Sequence, residues 1–392
     1  MKHQTSLVIS AWALTAAPAF ANGFYIPVQA PEATGRGNAW LATADTASAV
    51  YYNAAGLTQL GSTELVVGVY SVRLGIELES DLDGKTYKND ASWAMLPQIY
   101  AGVPINDRLV AGFGINTPFG LATDWGSDTI FRQLAIDTEL TYATGWAVLG
   151  YKLTDHLSLG GGLGVHHADL MLKQGISFGG SDTFEFNGES EALSWTVSAL
   201  WKPLEQHSFG AVYRSKADFM LNGSSQNSYV RGDTNASLDL ITPATAAVGY
   251  AYSPCPEWTL EANLEWVNWE ELNTLNLSQD GGADIAVPFN WNSNFIYSVG
   301  ATRFFQNGWN ASAGYNYIEN SQPDSSFNPG VSDADRHWLN VGIGRRYETF
   351  KWNFAYQYAF SDRDVSGSPG TLADGSFKSR FHGLMFNCNL QF

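Results

Sequence analysis

Residues 350–361 read Phe-Lys-Trp-Asn-Phe-Ala-Tyr-Gln-Tyr-Ala-Phe-Ser, and their alternation decides the fold class. The even positions Phe350, Trp352, Phe354, Tyr356, Tyr358 and Phe360 are aromatic, whereas the odd positions Lys351, Asn353, Ala355, Gln357, Ala359 and Ser361 are polar or small. Successive side chains of a strand point to opposite faces, so an extended chain here carries one aromatic and one polar face. A soluble sheet also alternates, but its apolar face favours Val, Ile and Leu. An aromatic face fits the girdles at which a transmembrane barrel meets the two bilayer interfaces.

The period recurs along the chain. Leu193, Trp195, Val197, Ala199 and Trp201 alternate with Ser194, Thr196, Ser198, Leu200 and Lys202. Trp309, Ala311, Ala313, Tyr315 and Tyr317 alternate with Asn310, Ser312, Gly314 and Asn316. The C-terminus repeats it, with Leu384, Phe386, Cys388, Leu390 and Phe392 on one face. A chain ending on Phe within such a strand resembles the assembly signal of bacterial outer-membrane barrels.

The connections supply an independent test. Short polar turns fall at 105–108, 153–156, 203–206, 253–256, 306–308 and 346–348. Between them lie longer connections rich in Gly, Ser, Asn and Asp, near 79–91, 117–136, 174–190, 222–236, 276–292, 319–335 and 361–377. Strict alternation of short turns and long loops is the pattern of barrels with periplasmic turns and extracellular loops. Six turns and seven loops join fourteen strands. The expected fold is therefore all-β: a 14-stranded antiparallel transmembrane β-barrel in the bacterial outer membrane, with both termini periplasmic. Closure removes the sheet edges that lipid could not satisfy.

Composition agrees. Of 392 residues, 45% are hydrophobic and 15% charged, against about 25% charged in an ordinary soluble domain. No stretch beyond the N-terminus is long and apolar enough for a transmembrane helix. A net charge of −17 argues against a nucleic-acid partner, which requires clustered cations. Cys255, in a turn, and Cys388, on the last strand, are too far apart on such a wall for a disulfide. His166 and His167 face opposite sides of a strand and cannot chelate one metal. No metal site and no cofactor are expected.

Residues 1–21 read as an export signal, with Lys2, an apolar core over 7–17, and Ala19-Phe20-Ala21 before the cut. Residues 22–60 lack a period of two and are rich in Ala, Gly and Thr, which suits a small plug inside a lumen better than a charged disordered tail. The barrel then occupies residues 61–392.

Within this frame the chain resembles the FadL-type family of long-chain fatty-acid and aromatic-hydrocarbon outer-membrane transporters. The resemblance rests on Gly35-Arg36-Gly37-Asn38-Ala39 with Ser48-Ala49-Val50-Tyr51-Tyr52-Asn53-Ala54-Ala55-Gly56-Leu57, which looks like the family's hatch. It continues in Thr117-Pro118-Phe119-Gly120-Leu121-Ala122-Thr123-Asp124-Trp125, in Tyr213-Arg214-Ser215-Lys216, and in Gly314-Tyr315-Asn316-Tyr317 followed by Asp333-Ala334-Asp335-Arg336-His337-Trp338. The order and spacing of these motifs cover essentially the whole mature chain. One departure stands out: the family's hatch carries Asn-Pro-Ala where this chain has Asn53-Ala54-Ala55, which frees a backbone that Pro would have fixed.

The resemblance implies passive uptake of a hydrophobic small molecule, bound first among the extracellular loops and then in the lumen above the hatch. It also implies sideways exit into outer-membrane lipid through a kink in the third strand. Gly112 and Gly114 with Asn116 are the expected kink, because Gly in a strand often marks a bend. Asn53, Ala54 and Ala55 are the expected gate. Read with the period of Phe209, Ala211, Tyr213, Ser215, Ala217, Phe219 and Leu221, the seventh strand turns Arg214, Lys216 and Asp218 to the lumen. There Arg214 and Lys216 would capture a carboxylate, or pair with lumenal acids. Phe119, Leu121, Trp125 and Phe131 are apolar groups in a loop and offer a binding groove, or loop–loop packing. The expected protein is not an enzyme and acts as a monomer. The rival readings are a lipid-modifying barrel enzyme, which needs a Ser–His–acid set at the rim, a general polar porin, which needs no apolar plug, and a loop-mediated adhesin.

Overall fold

The computed structural model describes residues 23–282 and 284–392; the expected export signal, Met1–Ala21, lies outside the described residues. Fourteen antiparallel strands close into a barrel. They are β1 (Glu64–Ser80), β2 (Ala94–Pro104), β3 (Leu109–Asn116, resuming at Leu121–Asp124), β4 (Asp137–Lys152), β5 (Leu157–Gly175), β6 (Thr183–Leu204) and β7 (His207–Arg214, resuming at Ala217–Asn227). The wall continues through β8 (Thr234–Thr242 and Thr245–Cys255), β9 (Trp258–Val267 and Thr274–Gln279), β10 (Ile285–Pro288 and Asn294–Phe304), β11 (Trp309–Ile318), β12 (Arg336–Arg346), β13 (Phe350–Val365) and β14 (Gly375–Gln391). Pairing of β1 with β14 from Glu64↔Gln391 to Ser80↔Gly375 completes the circle.

The alternation that marked these strands sets their two faces. On β13 the odd residues Lys351 to Ser361 are buried inside, and the aromatic row faces out. Leu163, Val165, Leu193, Trp195, Val197, Val248, Val299 and Val341 stand exposed on the outer surface, as a lipid-facing belt requires. Several loops are shorter than their composition implies. β5 runs to Gly175 and β6 starts at Thr183, so most of 174–190 is strand. A polar, Gly-rich stretch marks where the wall leaves the bilayer, not where the ladder ends.

The strand ladder lapses at several points in the wall, among them between β8 and β9 and between β9 and β10, and two others bear on the expected site residues. β2 and β3 pair only as far as Ile99↔Ile115. Thr117–Gly120 then leaves the wall and bonds to the N-terminal segment, with Ile26 N–H donating to Pro118 O at 2.8 Å and Gly120 N–H to Phe24 O at 2.9 Å. β3 resumes against β4 one residue out of register. The second point lies between β6 and β7. There Ser215 and Lys216 interrupt β7, and the facing of the strand inverts: Phe209 and Ala211 point out, but Ala217, Phe219 and Leu221 are buried inside. β8 inverts at the same level, at Pro243-Ala244. The lumenal orientation expected for Lys216 and Asp218 is therefore corrected. Lys216 pairs on the outer surface with Asp218 and Glu271, at 3.2 Å each.

Candidate ligand cavity and plug

Residues 23–60 fold into the barrel as two single turns of helix, Pro31–Thr34 and Ala49–Tyr52, a 3-10 turn Ala54–Gln59, and extended links. They are too short to be stable alone, and what holds them is the wall. Glycines make the closest approaches. A Cβ on Gly314 would lie 2.1 Å from the carbonyl carbon of Arg36, and one on Gly300 would lie 2.1 Å from its oxygen. Gly37 sits at φ +64, a conformation Gly adopts without steric cost, with Asn316 Nδ2 donating to its carbonyl at 2.6 Å. The Gly35-Arg36-Gly37 and Gly314-Tyr315-Asn316 motifs are thus two halves of one contact.

The expected gate residues anchor the opposite side. Asn53 Nδ2 donates to Leu41 O at 2.8 Å and to Ala199 O of β6 at 3.1 Å, while its Oδ1 accepts from Ala55 N–H at 3.2 Å. Ala55 N–H also donates to Ser198 Oγ at 3.1 Å. The Ala54–Ala55 peptide lies directly on Gly150 and Gly160. Arg214 does point into the lumen, but onto the plug. Its guanidinium donates to Tyr51 O at 2.5 Å and Tyr52 O at 3.3 Å, lies 4.4 Å over the Tyr51 ring, and stands 3.8 Å from Glu265.

Charged side chains complete the lower lumen. Arg36 lies 3.9 Å from Glu261, which accepts from Ala42 N–H at 2.7 Å; Lys351 lies 3.0 Å from Glu64, which accepts from Ala47 N–H at 2.7 Å. A polar row runs from Tyr70 through Gln357 (2.6 Å) and Asn340 (2.8 Å) to Asn316 (2.8 Å). Buried charges and amides persist where each finds a partner. Beneath the plug a vestibule of about 1450 Å³ empty volume opens toward the short turns, with Glu32, Arg36, Asp45, Lys202 and Lys351 on its wall.

Above the plug the chemistry reverses. A cavity of about 940 Å³ empty volume, partly open to solvent, is walled by Leu140, Leu170, Phe186, Leu238, Leu240 and Leu277. Leu121 lines it and Phe24 forms part of its floor. Phe24 contacts Phe119 and Trp269, with ring centroids 5.9 and 4.9 Å apart. The β11–β12 loop supplies Asn328 and Val331 as a cover.

Of the four loop aromatics and aliphatics expected to form a groove, Leu121 lines this cavity and Phe119 stands at the kink against Tyr25 and Tyr142. Trp125 and Phe131 instead pack on each other at 5.1 Å, and Trp125 Nε1 donates to Pro329 O at 3.0 Å. They tie loops together, the second of the two readings. The kink itself is corrected by a few residues: Gly112 and Gly114 sit in regular pairing, and a Cβ on them would strike Leu57, Val50 and Tyr100. They make room for the plug. Asn116 is the last paired residue before the strand turns inward at Thr117.

His166 was given no role by its sequence context. It lies buried between Tyr142 and Thr144 hydroxyls (2.9 Å each) on Nδ1 and Ser194 Oγ (2.6 Å) on Nε2. The Ser194–His166 contact resembles a nucleophile–base pair, but hydroxyls stand where an orienting carboxylate would be needed.

A plugged, closed barrel with an outward apolar belt defines an outer-membrane β-barrel protein. Comparisons then narrow the class. The family model described as Outer membrane protein transport protein (OMPP1/FadL/TodX) matches residues 12–383. The chain belongs to that family. It is 25% identical over 380 residues to the 47 kDa outer membrane protein of Pasteurella multocida, covering 88% of this chain and 89% of the relative. It is 21% identical to a long-chain fatty acid transport protein of Escherichia coli, covering 77% and 78%. In structure it is similar to a Pseudomonas aeruginosa FadL homologue (TM-score 0.86, 20% identity, 94% of this chain and 100% of the other). It is also similar to the Pseudomonas putida toluene transporter TodX (TM-score 0.77, 15% identity, 96% and 100%). The protein is an outer-membrane transport protein of this family.

Proposed function

We propose that the protein carries hydrophobic compounds, foremost long-chain fatty acids, passively inward across the outer membrane and releases them sideways into the bilayer. The observation that carries this reading is the division of the lumen. A largely apolar cavity lies above the plug, with Leu121, just past the β3 kink, on its wall, and a charged vestibule lies below. Each CH₂ gains about 0.8 kcal/mol on leaving water, so passage down through the vestibule would cost a long chain far more than exit into lipid. The downhill partition drives flow without an energy source. In this reading residues 22–60 are the hatch and 61–392 the barrel. The chain acts as a monomer with both termini periplasmic, and its partners are the lipophile and outer-membrane lipid.

The rim of the β2–β3 gap supports the same path. Met95, Ile99, Phe113 and Ile115 stand exposed there on the outer surface. A strain lacking the gene is expected to lose uptake of oleate or toluene, with restoration by the wild-type gene. Undiminished uptake across a panel of lipophiles would overturn the proposal.

A further inference from the structure

The break between β6 and β7 is as well defined as the one beside β3. The last contacts below it are Ser215 N–H to Trp195 O and Trp195 N–H to Ser215 Oγ, both 2.9 Å. Pairing resumes only at Asn222↔Glu189, one residue out of register with Thr196↔Arg214. Between these points residues 190–194 and 216–221 form no ladder with each other. Neither edge is frayed. β6 stays paired with β5 through His166↔Ala192 and Val165↔Leu193, and β7 stays paired with β8 from Ala217↔Thr242 onward. The gap is thus held open by two intact neighbours, at the level where β7 and β8 invert and Pro243 withholds a backbone donor.

Its height and lining are informative. The outward residues of β6 pass from Trp201, Val197, Trp195 and Leu193 to Glu191 and Glu189, so the apolar belt ends beside the gap. Unpaired strand edges are costly in hydrocarbon but not at the head-group layer, where polar partners are available. The outer lip carries Lys216 with Asp218 and Glu271. On the lumenal side Ser194, His166 and Ser215 line one small cavity together with Pro118 and Phe119 of the β3 kink.

We infer that the β6–β7 gap is a second lateral portal, through which the polar head of a single-headed amphiphile, such as a fatty acid, reaches the outer-leaflet head-group layer. It rests on the transport reading above. The two gaps differ in chemistry: the β2–β3 rim is hydrocarbon-like, and the β6–β7 lips are hydrogen-bonding. A ligand without a head group has no use for the second.

Two experiments test this. With Cys255→Ser and Cys388→Ser as background, a fluorophore on Ala192→Cys at the inner lip is expected to be quenched by head-group spin-labelled lipid in liposomes. The same fluorophore on Ala247→Cys, inside a continuously paired stretch, is the control. Equal quenching at both sites overturns the portal, whatever the protein transports. In cells, Ala192→Trp is expected to slow oleate uptake about tenfold, equivalent to one decade of barrier, while toluene uptake stays near wild type and reports a folded barrel. Unchanged oleate uptake, or equal loss of both compounds, overturns the portal. Wild-type protein that moves neither compound instead sinks the transport reading.

Discussion

The lumen above the plug and the lumen below it are built from the same strands, yet they obey opposite rules. Above, inward positions are mostly Leu and Phe, with Thr138, Lys173, Gln174 and Asn328 among them. Below, inward positions are Asn, Gln, Glu, Lys and Gly, many of them bonded to a neighbour or packed against the plug. An apolar space can stay open for an apolar guest, because nothing in it demands a partner. A space lined with buried charge must be filled or paired, and residues 23–60 fill it. The upper cavity and the packed segment beneath it are thus a consequence of which side chains face inward at each height.

The harshest way to break this contrast is to push the plug off its glycines. Gly314→Val places a methyl-bearing carbon into Arg36, at a cost of about 1–3 kcal/mol or more for overpacking. Conductance in planar bilayers is expected to rise toward that of an open porin; a barrel that stays closed would show that other contacts suffice. Next in size is Arg214→Met, which strips the Tyr51 and Tyr52 carbonyls and Glu265 of their cation. Denaturant titration should reveal a loss of about 3 kcal/mol, with fatty-acid affinity little changed. A large drop in affinity with stability intact would reinstate Arg214 as a ligand residue.

Smaller effects sharpen the boundary. Leu240→Asp removes one apolar wall from the upper cavity and should weaken fatty-acid binding by about 1.5–3 kcal/mol in calorimetry. Thr259→Asp, in the lower vestibule, should leave binding unaltered. At the loops, Tyr229 donating to Asp182 at 2.7 Å holds the Asp182 carboxyl below its ordinary range, aided by Ser177 and Arg132. A lowered carboxylate contributes stability above its unfolded pKa of about 3.9 and loses it as pH falls through the folded value. Hydrogen exchange in residues 176–182 should therefore stay slow at neutral pH and quicken only in acid below that range. Equal protection at both extremes would refute the clamp.

The gentlest change restores the family's proline. Asn53 is extended (φ −161, ψ 96), as a residue before Pro should be, and Ala54 opens a 3-10 turn. Ala54→Pro should add about 0.4–1 kcal/mol of stability through the unfolded chain, and leave closure unchanged. Asn53 thus already holds the extended conformation that the proline would impose on it.

The wall was legible because alternation survives through most of the strands, and the family motifs were legible without their meaning. Gly35–Ala39 and Gly314–Tyr317 lie far apart in sequence, and only their contact explains both. Arg214 could be assigned to the lumen but not to the plug, since the carbonyls it meets belong to a segment with no period of its own. Gly112 and Gly114 looked like a bend, although a missing Cβ equally marks close approach. The inversion in β7 was hidden for a more instructive reason. Phe209, Ala211, Phe219 and Leu221 keep one unbroken phase, because the lower pair meets lipid outside and the upper pair joins the buried apolar core inside, Phe219 against Tyr142 and His166.

By itself the sequence determined a fourteen-stranded outer-membrane barrel, its alternating turns and loops, and a small non-strand segment at its N-terminus. A period of two and scarce charge leave few other ways to satisfy backbone and side chains in a bilayer. The tertiary structure alone decided which face of each strand sees the outside, the upper cavity or the plug, and where the ladder opens. Those outcomes depend on neighbours brought together across the barrel, and a linear pattern carries no trace of which apolar environment a given face will meet.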